Sequence, residues 1–97
     1  MQFTIKNCKS FKDRFLGMMF LKEKKEMGYY FNHCHSIHTF FCYFPLDVVL
    51  LDKNNNIIHI KENIKPWRIY FFQCYSILEV PHGMLPDAIK VYIKNML

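Results

Sequence analysis

The run Val48-Val49-Leu50-Leu51 constrains this chain more than any other feature. Four consecutive apolar residues cannot alternate between core and water, so the segment fits a strand covered on both faces. Asp52-Lys53-Asn54-Asn55-Asn56 follows it. Asn and Asp tolerate left-handed backbone and bond to their own chain, which makes this stretch a turn. Ile57-Ile58-His59-Ile60 then returns, and the three pieces together predict a β-hairpin whose first arm is buried.

Other short segments carry a similar signature. Phe3-Thr4-Ile5-Lys6 alternates apolar and polar residues, as a half-buried strand does. Ile37-His38-Thr39-Phe40-Phe41 is rich in strand formers. Pro45 interrupts the ladder because it has no N–H to donate. Residues 69–72 and 76–80 are further strand candidates, Pro66-Trp67-Arg68 marks a bend, and Ile89-Lys90-Val91-Tyr92-Ile93 alternates again. One helix is expected. Ser10 and Asp13 resemble a capping box, and Phe11, Phe15, Met18 and Met19 fall on one helical face. Gly17 is placed to end that helix in a left-handed turn. Many short strands with a single helix imply an α+β, mainly β fold: a compact, barrel-like antiparallel sheet with one short N-terminal helix.

Length and charge narrow the function classes. The 97 residues are read as a single domain, 1–97. A chain of this size buries roughly 65% of its extended surface, enough for a core without metal or disulfide support. Hydrophobic residues make up 52%, which excludes a disordered tail. No apolar run is long enough for a membrane span. The net charge is +5, but eleven of the thirteen basic residues are Lys, and only Arg14 and Arg68 supply a guanidinium. That excess reads as a solvated surface rather than a nucleic-acid interface. The cysteines at 8, 34, 42 and 74 contain no C-x-x-C pair. Met1-Gln2-Phe3-Thr4-Ile5-Lys6 lacks the pattern of a secretory signal, so a cytoplasmic protein with reduced thiols is expected.

Several stretches carry a family signal. Arg14-Phe15-Leu16-Gly17-Met18-Met19-Phe20 resembles the R-x-x-G-L-M element of the domain-of-unknown-function 192 family, a set of small conserved proteins. Residues 34–52, with Cys34, Ser36-Ile37-His38-Thr39-Phe40-Phe41, Phe44-Pro45-Leu46-Asp47 and Asp52, look like its central motif in the form typical of Gram-positive members. Asn63-Ile64-Lys65-Pro66-Trp67-Arg68 and Ser76-Ile77-Leu78-Glu79-Val80-Pro81 are similar to the elements that follow. The sequence departs from the pattern at Tyr43, at His82 and at Tyr92-Ile93. The resemblance implies a compact, mainly β domain and no established activity.

Two sets of residues bear on chemistry. Arg14, His38, Thr39, Asp47 and Trp67 are polar or aromatic motif positions in an otherwise apolar framework, and they form the candidate ligand-binding set. Arg14 suits the forked recognition of a carboxylate or phosphate, and Asp47, in a buried strand, needs hydrogen bonds or a cation. Glu79, inside an apolar run, is expected to face solvent or pair with a Lys. Cys34, His35 and His38 supply thiolate and imidazole donors and form the candidate metal or thiol site. There is no phosphate loop, nucleophile elbow or paired-carboxylate signature. The reading that results is a non-enzymatic binding or accessory module for a small polar ligand or a protein partner, with no cofactor. A metal-binding or thiol-dependent activity at Cys34, His35 and His38 is the alternative.

Overall fold

A computed structural model describes residues 3–24 and 26–86 of the chain. Its centre is the expected hairpin. Strand β4 (Leu46–Leu51) is buried at all six positions. Asp52 closes the turn, with Oδ1 accepting the N–H groups of Asn54 at 2.8 Å and Asn56 at 2.9 Å. Asn55 takes the left-handed backbone the turn requires, at φ 63°. The return strand forms one edge of a five-stranded sheet and is only partly covered.

In chain order the elements are β1 (Thr4–Asn7), α1 (Phe11–Leu16), β2 (Met27–Phe31), β3 (Ser36–His38), β4, β5 (Ile57–Ile64), β6 (Ile69–Phe71) and β7 (Ser76–Pro81). The large sheet runs β1-β2-β7-β4-β5, and β3 pairs with β6 in a separate two-stranded sheet. Among the described residues all pairs are antiparallel except β1 with β2. Strand β7, like β4, is buried along its whole length. Strand β2 is an element that alternation does not announce, because Tyr29, Tyr30 and Phe31 are all buried. Gly28 opens it for a packing reason. A Cβ there would lie 2.9 Å from Leu78 Cδ1 and 3.2 Å from Phe3 Cζ.

Three expectations need correction. Among the described residues the sheets do not close into a barrel: β1 and β5 end the large sheet, and the short β3 and β6 pair with each other instead of bridging those edges. The strand expected over 37–41 ends at His38, because Thr39 turns to bond the 65–68 loop and Phe41 adopts φ 61°. The helical face through Phe11, Phe15, Met18 and Met19 is not formed. The helical stretch stops at Leu16, Gly17 follows at φ 47°, Met18 is buried beyond it, and Phe15 is 55% exposed. The strand expected over 89–93 and the cap using the Asp13 side chain lie outside the described residues.

The register of the central strands sorts side chains between two faces. Asp47 pairs with Val80, and Val48 pairs with Glu79. Successive residues of a strand point to opposite faces. Val49, Leu51, Leu78 and Val80 therefore share one face, packed with Phe3 and Tyr30. Val48, Leu50 and Ile77 share the other with Ile37 of β3. Tyr29, Phe31, Leu46, Met18, Cys42 and Phe44 extend that second core. Asp47 belongs to the first face and Glu79 to the second.

Asp47 works as a clamp on its face. Its Oδ1 accepts the Asn63 N–H at 2.8 Å and the His82 Nδ1–H at 2.7 Å, and its Oδ2 accepts the Gly83 N–H at 3.1 Å. One carboxylate thus ties β4 to the end of β5 and to the turn after β7. Burial pushes the Asp47 pKa up, but His82 and the two backbone donors outweigh it and hold the carboxyl below its usual value. The clamp is fully present above the ordinary carboxylate range and is lost as pH falls through the lowered value. Asp47→Ala is expected to cost about 3 kcal/mol at about pH 6, because two backbone N–H groups lose their acceptor. Denaturant unfolding checks this: the gap between variant and parent shrinks toward about pH 2, and a gap independent of pH would contradict the clamp.

Candidate functional site

A cavity of about 240 Å³ opens on the second face. Arg14, Phe15 and Gly17 line it from α1 and the following turn, Cys34, Ser36 and His38 from β3 and its approach, and Ile69 and Phe71 from β6. Phe31 and Glu79 reach it from the central sheet. Cys34, Ser36, Ile37 and His38 together make up this wall.

Two of the expected residues are held on the wall by main-chain carbonyls. Arg14 closes the last turn of α1 and donates from one terminal nitrogen to Asn32 O at 2.7 Å and from the other to His33 O at 3.4 Å. A His38 tautomer protonated at Nε2 satisfies both of its contacts. That nitrogen lies 2.9 Å from Phe15 O, and Nδ1 accepts the Phe40 N–H at 3.3 Å. The Phe15 and Phe40 rings flank the imidazole at centroid distances of 5.4 and 5.6 Å.

Glu79 is the residue that sequence reasoning misplaced. It neither faces solvent nor pairs with a Lys; it is 4% exposed, in a strand with no exposed position. The described residues give its carboxyl no hydrogen-bond donor and no cation, and burial alone pushes its pKa up to about 8. Among these residues no side-chain oxygen sealed from solvent lacks a partner, so the carboxyl opens onto the cavity it lines. The available signal was the uninterrupted apolar context, Ile77-Leu78 before it and Val80 after. An acid amid such residues is buried together with the strand. Gly17 keeps the approach clear, since a Cβ there would lie 3.3 Å from Glu79 Oε1 and 3.4 Å from Phe31 Cζ.

The other expected residues are placed elsewhere or used differently. Asp47 is on the opposite face and makes no pair with Arg14, whose bonds go to the Asn32 and His33 carbonyls. Thr39 is fully buried and fastens two loops. Its hydroxyl donates to Lys65 O at 2.8 Å and accepts the Arg68 N–H at 3.0 Å, while its carbonyl takes the Trp67 N–H at 2.8 Å. Trp67 is 58% exposed, with its ring edge-on to Phe41 at 4.7 Å. Cys34 donates its thiol to Ser36 O at 3.0 Å, and burial pushes its pKa up despite the charge of Arg14. A thiol with a raised pKa is the reverse of what nucleophilic catalysis needs. His35 is exposed and is not part of the cavity wall. Among the described residues, no three His, Cys, Asp or Glu side chains gather in a way that could hold a metal ion.

A raised carboxyl pKa weakens the fold as pH climbs. The protein is least burdened below the unfolded value, about 4.3, and loses stability progressively until Glu79 ionises near pH 8. Glu79→Gln is therefore expected to stabilise the protein by about 2 kcal/mol at about pH 8 and by little at about pH 4. Thermal unfolding at the two pH values checks this. A variant no more stable than the parent at either pH would show that the carboxyl has a partner.

The comparisons agree with this architecture. Residues 1–91 match the model of the DUF192 family, described as "Uncharacterized ACR". The UPF0127 protein PH1112 of Pyrococcus horikoshii is 36% identical over 87 residues, covering 84% of this chain and 74% of that protein. The fold is shared with a protein of unknown function from Novosphingobium aromaticivorans, at TM-score 0.67 and 18% identity over 93% of this chain and 69% of that one. It is shared also with a Sinorhizobium meliloti protein provisionally assigned as a transcription regulator, at TM-score 0.70 and 17% identity over 92% and 74%. An open, mainly β sheet and a family match along nearly the whole sequence lead to one conclusion: the chain belongs to the DUF192 (UPF0127) family.

Proposed function

We propose that the protein is a single-domain, non-enzymatic binding module of the cytoplasm, and that a small polar ligand occupies the cavity between Arg14, His38 and Glu79. The supporting observation is Glu79: a carboxyl in a fully buried strand, without donor or cation among the described residues, open to a cavity. Such a group weakens a fold, so its presence is explained by what it contacts when the cavity is filled. Arg14 adds a second recognition group on the wall, and His38 shapes that wall through its two main-chain bonds. Of the expected ligand set, Arg14 and His38 carry this proposal; Thr39 and Asp47 serve it by fastening the loops and strands behind it.

No observation favours the metal or thiol alternative. The raised thiol pKa at Cys34 counts against a thiolate nucleophile.

A panel of small sugars, carboxylates, phosphates and amines, followed by amide chemical shifts, tests the proposal. Bound ligands are expected to shift Gly17, His38 and Glu79 together, and Glu79→Gln is expected to weaken binding by about tenfold or more. Hits whose affinity is the same in Glu79→Gln and His38→Ala, or a panel with no hits, would contradict it.

A further inference from the structure

Resting on that reading, we propose that the cavity takes a small zwitterion of the amino acid type, its ammonium on Glu79 and its carboxylate on Arg14. Charge complementarity in a confined space favours such a ligand. One carboxyl and one guanidinium line the same cavity. A simple cation would meet the charge of Arg14, and a simple anion would answer Arg14 alone and leave the Glu79 carboxyl neutral and unpartnered. A neutral sugar would give Glu79 no reason to ionise. A molecule carrying both charges answers both groups.

The geometry supports each end. Arg14 commits two of the five N–H donors of a guanidinium to the carbonyls of Asn32 and His33, and the remaining three are available to a carboxylate. Gly17 leaves Glu79 Oε1 uncovered where any side chain would crowd it. Phe15 and Phe71 are 55% and 76% exposed and line the cavity, and Phe31 lines it deeper in the sheet. These rings offer an apolar surface to the hydrocarbon of such a ligand and a ring face to its ammonium group. At about 240 Å³ the space suits a molecule smaller than a drug-sized ligand.

Binding moves one proton. A neutral Glu79 carboxyl gives up its proton to solvent, and the carboxylate that remains pairs with the incoming ammonium. Other titratable groups surround it: Arg14 on α1, Cys34 and His38 on the β3 side, Cys42 beyond them, and Tyr29 opposite on β2. Their contribution is what remains when Glu79 is replaced.

Titration calorimetry of the whole protein tests this with glycine, β-alanine, γ-aminobutyrate, 5-aminovalerate and leucine, with butylamine and butyrate as single-charge controls. At least one zwitterion is expected to bind at least tenfold more tightly than either control. Its affinity is expected to rise about tenfold from pH 6 to pH 7 and to level off above about 8. The heat is expected to vary with buffer as release of about one proton requires. Glu79→Gln is expected to remove that pH dependence along with most of the binding, and Arg14→Lys to weaken binding at least tenfold by losing the fork. Butylamine or butyrate matching the zwitterions would overturn the inference, as would zwitterion binding unchanged in Glu79→Gln. Sugars or phosphates that shift the cavity residues while no zwitterion binds would overturn this inference and leave the binding reading intact. An empty panel would remove both.

Discussion

Two adjacent strands, β4 and β7, are sealed from water along their entire length, and the rest of the molecule is arranged around that pair. A strand buried on both faces must be apolar on both, and these two nearly are. Each carries a single acid. The pleat sends Asp47 to one face and Glu79 to the other, so the same residue class meets two environments. Asp47 finds three donors and becomes a clamp. Glu79 finds none among the described residues and becomes the floor of a cavity.

That contrast separates the polar groups that fasten the frame from those that line the cavity. The hydrogen bonds of Asp47 and Thr39 go to the end of β5 and to neighbouring loops, and they hold the frame together. Arg14 and His38 anchor on main-chain carbonyls while lining an open space. Glu79 burdens the fold by its burial.

Much of the frame was legible in the sequence. Val48-Val49-Leu50-Leu51 announced a strand covered twice, Asp52 and Asn55 announced the turn, and Gly17 announced the left-handed residue after the helix. Such features are written in a few consecutive residues. The reach of Thr39 across to residues 65–68 is not, because it depends on two loops meeting in space. The barrel expectation failed for a related reason: strand candidates can be counted locally, but which edges pair cannot. Asp47 was grouped with Arg14 because both are motif positions, and only the register between β4 and β7 reveals that they work on different faces. Glu79 was legible in principle, since the apolar residues around it left no solvent face to point toward.

The account stands on the state of one carboxyl. Carbon-13 NMR of the Glu79 side-chain carbonyl, followed from pH 4 to pH 10, measures that state directly. The account predicts a single transition near pH 8 in the ligand-free protein. A transition near the ordinary glutamate value of about 4.3 would show a carboxylate already solvated or paired, and the cavity would lose its defining group.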